Sequence, residues 1–190
     1  MLDRNRILKI LKNIINDKLL KHSIGVEKTA IKLAKVYKAE TEKAAVAGLL
    51  HDCAKGFTDE QLLKKAVDFD ILLDSVSKQQ PQLIHGPVGA QMAKHIFGVD
   101  DIEIIRAIEI HTTGDQNMSV LDKIVYLADY VEPDRDFPGV DALRKLAFEN
   151  LDKACLFAFN NTLKYVIDNN WLIHPKTVIA RNDILMKMGN

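Results

Sequence analysis

The chain has 190 residues, of which 47% are hydrophobic and 27% charged, a composition typical of soluble globular proteins. Its 26 lysine and arginine residues equal its 26 aspartate and glutamate residues in number, which argues against a nucleic-acid partner. Two cysteines, Cys53 and Cys155, are too few for a disulfide framework, and the charged N-terminal stretch MLDRNRILKILKN resembles neither a secretory signal nor a membrane span. We therefore expect a cytoplasmic protein without a membrane partner.

Apolar residues recur at helical spacing along nearly the whole chain, and the period-two alternation of β-strands is missing. The sequence therefore predicts an all-α fold. The predicted helices cover residues 4–16, 20–38, 41–55, 58–68, 85–98, 100–114, 119–135, 140–150, 152–170 and 176–188.

Several residues are suited to begin or end these helices. Thr41 and Thr58 are candidates to cap helix starts, and Gly56 is placed to end the helix that begins at Thr41. The irregular stretches, which in compact helical proteins often carry function, are 70–86, 112–118 and 133–139. No linker or repeat interrupts the chain, so we expect a single domain over residues 1–190.

Three polar residues lie among the apolar residues of their predicted helices. His51 and His111 each follow an alanine by four residues, and Asp129 is the only charged residue in VYLADYV. For each residue alone, a hydrogen-bonded position in the core is the more common explanation. A metal ion is the other, because it accepts imidazole nitrogen and carboxylate oxygen together and removes the cost of burying a bare carboxylate.

The combination is more informative than any one member. Each of the following residues lies beside a helix end or within an apolar segment: His22, His51, Asp52, His85, His111 and Asp129. Neighbouring helical residues point about 100° apart, so His51 and Asp52 can share an ion only if it lies between them and other helices supply further ligands. Their spacing is compatible both with one metal site and with separate core positions.

These residues occur within longer segments: LLKHSIGVEKTAIKLA, AGLLHDCAK, LIHGPVGA, IEIHTTG, LADYVEPDR and NNWLIHPKTVIARN. Their order resembles that of the HD-domain phosphohydrolases, all-helical proteins that bind divalent metal and hydrolyse phosphate esters or anhydrides. The segments are more specifically similar to the YqeK family, hydrolases that split diadenosine tetraphosphate symmetrically into two ADP. The resemblance covers nearly the whole chain and implies an HD-domain helical bundle with its core at about 18–135 and a C-terminal helical extension.

The resemblance also implies the metal site. The implied metal ligands are His22, His51, Asp52 and Asp129. In members with two metals, His85 and His111 hold a second ion; in members with one, the equivalent histidines face the phosphates. The family implies iron, and these ligand types also accept manganese, cobalt, nickel or zinc. One or two ions, and a monomer or a homodimer, stay open.

The resulting hypothesis is attack of a metal-activated water on the phosphate bridge, with ADP leaving. Asp52 would bind metal and orient the water, and Lys55 would neutralise phosphate charge. The alternative for Lys55 is a solvated position at a helix end. If His85 and His111 are not ligands, we expect them to donate to the phosphates or to the leaving oxygen.

Further residues are candidates for nucleotide binding. The guanidinium group of Arg135 suits phosphate, and Lys18, one turn before His22, is a candidate of the same kind. The C-terminal segment resembles the family's tail, which lies over the nucleotide, and its expected contacts with base or ribose are Asn170, Ile173, His174 and Thr177. The alternative is that this segment only docks the last helix.

Two rival functions fit the same residues. One is an HD phosphohydrolase that acts on another nucleotide, such as a deoxynucleoside triphosphate or guanosine tetraphosphate. The absence of a GYP segment after the HD pair argues against the cyclic-dinucleotide group. The other is a non-catalytic sensor that binds ADP or GDP. A complete ligand set argues against the sensor, which has no need for a metal-activated water.

Overall fold

The computed structural model describes residues 3–189. Its α-helices are α1 (Arg4–Ile14), α2 (Asp17–Val36), α3 (Thr41–Leu50), α4 (Asp59–Asp68), α5 (Ser75–Gln79), α6 (His85–His95), α7 (Ile102–Ile110), α8 (Val120–Val131), α9 (Val140–Glu149), α10 (Leu151–Asp168) and α11 (Pro175–Met188). Residues 3–189 contain no β-strand, which confirms the predicted all-α fold. Within the same residues, no helix combines the length and the apolar character needed to cross a membrane.

Side-chain caps explain where several helices begin. The residues whose side chains accept backbone N–H groups at helix starts include Asp3, Asn16, Thr58, Asp101 and Ser119. Thr58 and Ser119 form reciprocal capping boxes with Gln61 and Asp122. The prediction for Thr58 is therefore confirmed, whereas Thr41 is the first helical residue of α3 and not its cap.

The predicted helix over 41–55 was too long. Helix α3 ends at Leu50, and Cys53 N–H bonds the carbonyl oxygen of Leu50 at 3.0 Å, as in a tight turn. The His51 ring binds the carbonyl of Gly48, the group that residue 52 would use in a continuing helix. His51 and Asp52 therefore lie on a turn, and Gly56 does not end the helix.

The stretch 70–86 is more ordered than predicted. It contains α5 and a short 3-10 helix, Pro81–Ile84, which leads directly into His85 at the start of α6. At this point α6 approaches α7 so closely that a Cβ atom on Gly86 would lie 2.5 Å from the carbonyl oxygen of Glu109. This close approach brings His85 beside the end of α7.

The core lies between α2, α3, α7 and α8. Helix α2 packs against α3 and α8, α7 packs against α3, α6 and α8, and α10 joins α8 to α9 and α11. The most deeply buried large side chains in this core include Leu33, Leu50, Ile108 and Ile124. The apolar stripes predicted from periodicity therefore face one another, and they bring the polar residues near their ends to one place.

Candidate metal centre

All six predicted ligand residues come together. They are His22 from α2, His51 and Asp52 from the turn after α3, His85 from the start of α6, His111 from the turn after α7, and Asp129 from α8. We call them the His/Asp cluster. They form two overlapping groups, in each of which the potential ligand atoms lie within 4.8 Å of one another. The first group is His22, His51, Asp52 and Asp129, and the second is Asp52, His85 and His111. Asp52 therefore belongs to both groups.

The distances within the first group suit ligands of one ion. His22 Nε2 lies 2.9 Å from Asp129 Oδ1 and 3.6 Å from Asp52 Oδ2. His51 Nε2 lies 3.3 Å from Asp52 Oδ2 and 3.7 Å from Asp129 Oδ1. Two ligands placed about 2.1 Å from an ion at right angles to each other are themselves about 3 Å apart. The observed spacing is close to that requirement.

The second group shares Asp52 through its other oxygen. Asp52 Oδ1 lies 3.1 Å from His85 Nε2 and 3.4 Å from His111 Nε2. The two histidine nitrogens are 3.0 Å apart, and the Thr112 hydroxyl lies 3.2 Å from each of them. One hydroxyl proton satisfies only one of these nitrogens, so the group as a whole also favours a cation.

Hydrogen bonds set the direction in which three of the rings present their nitrogens. In each ring, Nδ1 binds a carbonyl oxygen three residues earlier: Gly48 for His51, Gln82 for His85 and Ile108 for His111. A carbonyl oxygen can only accept, so Nδ1 carries the hydrogen and Nε2 turns toward the cluster. This is the arrangement expected of histidines that bind metal through Nε2.

The fourth ring is held by Glu132, a site residue that the sequence analysis did not single out. Glu132 Oε1 lies 3.1 Å from His22 Nδ1, and its Oε2 accepts the Asp134 backbone N–H at 2.9 Å. The Glu132 side chain is only 3% exposed. A glutamate followed by proline at a helix end resembles an exposed turn, so the sequence carried little signal of this buried role.

Three buried atoms of the cluster, His22 Nε2, His51 Nε2 and Asp52 Oδ1, make no hydrogen bond of acceptable geometry among residues 3–189. Each of them nevertheless lies within 3.3 Å of an oppositely charged or polar atom of the cluster. Buried polar atoms normally have partners, so three at one place indicate a common ligand. Imidazole nitrogen and carboxylate oxygen suit a divalent transition metal. The residues present therefore fit a metal ion.

The pKa values of the cluster residues also favour a bound cation. Burial opposes ionisation of Asp52 and Asp129, but the surrounding histidines outweigh it and hold both pKa values well below their usual range. Burial disfavours the cation of His51, yet the two carboxylates raise its pKa to about 10. Burial lowers the pKa of His111 to about 4, and the charges of His51 and His85 act in the same direction. The cluster thus stabilises a positive charge beside Asp52 and Asp129.

Two basic side chains lie at the rim of the cluster. Lys55 Nζ is 2.9 Å from Asp52 Oδ2, with 37% of its side chain exposed. Arg135 donates from Nε to the Asp129 carbonyl oxygen at 2.8 Å and from Nη2 to the Asp129 carboxylate. The Lys55 ammonium therefore contacts the cluster while its side chain is also open to solvent, and its contact with phosphate stays a prediction.

A model of the HD domain matches residues 19–134. This chain belongs to the HD domain family. It is 36% identical to a symmetrical bis(5'-nucleosyl)-tetraphosphatase of Halalkalibacterium halodurans, over 98% of this chain and 99% of that one. It is 35% identical to the protein of the same name from Bacillus subtilis, over 95% of this chain and 97% of that one. The resemblance inferred from the sequence motifs is thereby confirmed.

A solved structure is also similar to this HD domain protein. It is described as a predicted HD superfamily hydrolase involved in NAD metabolism from Clostridium acetobutylicum. The two chains are 44% identical with a TM-score of 0.96, and the similarity covers 98% of this chain and 99% of the other. The helical architecture is therefore shared along nearly the whole length.

Two cavities adjoin the His/Asp cluster. The first cavity, of about 440 Å³, lies between the 3-10 helix and the tail, and its lining includes Leu83, Thr112, Thr162, Trp171 and Ile173. The second cavity, of about 720 Å³, lies between the start of α2 and the segment after α8, and its lining includes Lys18, Lys21, Lys55, Arg135 and Phe137. The basic residues predicted to bind nucleotide are therefore gathered in the second cavity.

Three of the four tail residues predicted to contact the nucleotide line a cavity, and the fourth does not. Ile173, His174 and Thr177 line the first cavity, whereas Asn170 is exposed and is not part of its lining. His174 also caps α11 by accepting the Lys176 N–H at 3.2 Å. The segment thus docks the last helix and forms a cavity wall at the same time, and its contact with a nucleotide stays a prediction.

Proposed function

We propose that this HD domain protein is a metal-dependent hydrolase that cleaves diadenosine tetraphosphate symmetrically into two ADP. The observation that carries the proposal is the pair of ligand groups that share Asp52. Two cavities with separate linings adjoin these groups. The similarity to two proteins named symmetrical bis(5'-nucleosyl)-tetraphosphatase supports this choice of substrate. We further propose that iron is the bound ion and that the protein acts in the cytoplasm.

Each part of the cluster has a role in this reaction. The first group would hold one ion, and Asp52, His85 and His111 would hold a second. A bound divalent ion neutralises phosphate charge and lowers the pKa of water toward neutrality. The Lys55 ammonium and the Arg135 guanidinium lie beside the carboxylates, and in this proposal they would bind non-bridging phosphate oxygens.

The bond changes balance without a further reactant. The oxygen of one water forms a bond to a central phosphorus atom while the bond from that phosphorus to the central bridging oxygen breaks. One ADP leaves with the bridging oxygen and the other carries the oxygen of water. Both protons of that water pass to solvent when the two new terminal phosphates are fully ionised. Positioning and charge stabilisation account for most of the catalysis of such transfers.

A substrate panel tests the proposal. The full-length protein, loaded separately with iron, manganese or cobalt, is incubated with diadenosine tetraphosphate, a deoxynucleoside triphosphate and guanosine tetraphosphate, and products are separated by chromatography. Two ADP from diadenosine tetraphosphate, and loss of this activity in Asp52→Asn, support it. ATP plus AMP, or no turnover with any of the three ions, overturns it; ADP binding without turnover then favours the sensor.

A further inference from the structure

The two cavities approach the His/Asp cluster through different residues. Their linings have no residue in common. A recess of about 100 Å³, lined by His85, His111 and Asp129 among others, shares Thr112 with the first cavity and Lys55 with the second. An elongated ligand that passes through this recess would therefore have one end in each cavity.

The second cavity has basic side chains that suit phosphate. Its lining contains four basic side chains, Lys18, Lys21, Lys55 and Arg135, and three acidic ones, Glu132, Asp134 and Asp136. Glu132 is already bound to His22, and Asp134 Oδ2 lies 2.8 Å from Lys21 Nζ. Lys18, from α2, and Lys55, from the turn after α3, both line this cavity.

The second cavity also offers a surface for a base. Phe137 is half-buried, and its ring packs edge-on against Tyr130 with centroids 5.4 Å apart. An aromatic ring that lines a cavity and is held in place by such a contact can stack on a nucleobase. The lining of the first cavity includes Trp171, Leu83 and Thr113. Each cavity thus combines an aromatic side chain with polar groups, as nucleoside sites do, and both volumes fall in the usual range for ligand sites.

We propose that the second cavity binds one nucleoside diphosphate half of the substrate while the first cavity binds the other half, an inference that rests on the proposed function. Lys18, Lys55 and Arg135 bind the phosphates of the half in the second cavity, and Phe137 stacks against its base. The middle of the phosphate chain then lies over Asp52, the residue common to both ligand groups. Symmetrical cleavage follows because a nucleoside is held on each side of Asp52.

The test counts nucleotides bound per chain. ADP is titrated by calorimetry into the manganese-loaded full-length protein. The wild type is expected to bind two ADP. Phe137→Ala and Lys18→Ala are each expected to weaken one of the two sites about 10-fold, the effect of losing one stacked base or one phosphate contact, and to leave the other site unchanged. The matched controls, Phe148→Ala on α9 and Lys28→Ala on α2, alter exposed residues outside both cavities and are expected to bind like the wild type.

Binding of one ADP per chain, or wild-type binding in both variants, overturns the inference. Lys18 is exposed, so its variant stays informative if Phe137→Ala folds poorly. Hydrolysis of diadenosine tetraphosphate is measured in parallel, and the variants are expected to raise KM with little change in kcat. Two ADP products from a protein with a single ADP site would leave the proposed function intact and remove the inference. Two ADP sites in a protein without turnover would support the inference that each cavity binds one nucleotide, and would overturn the proposed hydrolase function.

Discussion

Glu132 holds the imidazole ring of His22 through a hydrogen bond between Oε1 and Nδ1, 3.1 Å long, across 110 positions of sequence. The carboxylate is buried, and its second oxygen is bound to the backbone N–H of Asp134. Carboxylates in this position fix the orientation of a metal-binding histidine and raise its basicity. Glu132 is therefore a positioning residue for the first ligand group.

We predict that Glu132→Gln lowers metal affinity about 10- to 100-fold, the usual effect of losing such a partner. The amide cannot accept with both of its terminal atoms, so either His22 or Asp134 loses its bond. Metal affinity is measured by competition with a chelator, and circular dichroism reports on the fold. Glu149→Gln, at the exposed end of α9, is the matched control. Equal affinities in the two variants would show that Glu132 does not position His22.

Gly25 provides an independent test of the same contact. A Cβ atom at this position would lie 2.6 Å from Glu132 Oε2, so Gly25→Ala must displace the carboxylate. The substitution removes no polar group, and alanine is more favourable than glycine inside a helix by about 1 kcal/mol. We predict lower metal affinity without loss of helix content. Unchanged metal affinity would mean that Glu132 moves without disturbing His22.

The second ligand group predicts the number of ions. If Asp52, His85 and His111 bind metal together, the wild type holds two ions per chain and His85→Gln holds one. Glutamine keeps much of the volume of the buried ring while its amide is a poor ligand for transition metals. Elemental analysis after dialysis gives the count, with His95→Gln near the end of α6 as control. A single ion in both wild type and His85→Gln would assign His85 to the phosphates.

The close contact between α6 and α7 predicts a stability effect. Gly86→Ala would place Cβ 2.5 Å from the carbonyl oxygen of Glu109, and two packed helix backbones separate only at a cost. We expect a loss of about 1–3 kcal/mol in the free energy of unfolding, measured in urea. Gly189→Ala, where Cβ meets only ordinary contacts starting at 3.6 Å, is expected to have little effect. Equal stabilities would indicate that α6 shifts without strain.

Much of the cluster was visible in the sequence because its members interrupt apolar stripes. His111 and Asp129 occupy positions whose helical neighbours are buried, and the structure places both beside Asp52. Periodicity records which face of a helix points inward, so it locates such residues without a structure. Thr112 and Glu132 follow helix ends, where periodicity gives no direction, and both were missed.

The sequence predicted that a helix is present more accurately than it predicted where that helix ends. The pattern of 41–55 continues past Leu50, but the His51 side chain takes the Gly48 carbonyl and the backbone turns there. A competition between side chain and backbone for one carbonyl is not visible in hydrophobic spacing.

By itself, the sequence determined the all-α fold, through helical periodicity, and the family, through the order of its motifs. The tertiary structure alone decided that Lys55 turns inward to Asp52, and that Lys18 and Arg135 line one cavity while Ile173 lines another. The reason is physical. Helical periodicity is a local property of the chain, whereas the direction of a side chain beyond a helix end depends on how distant helices pack around it.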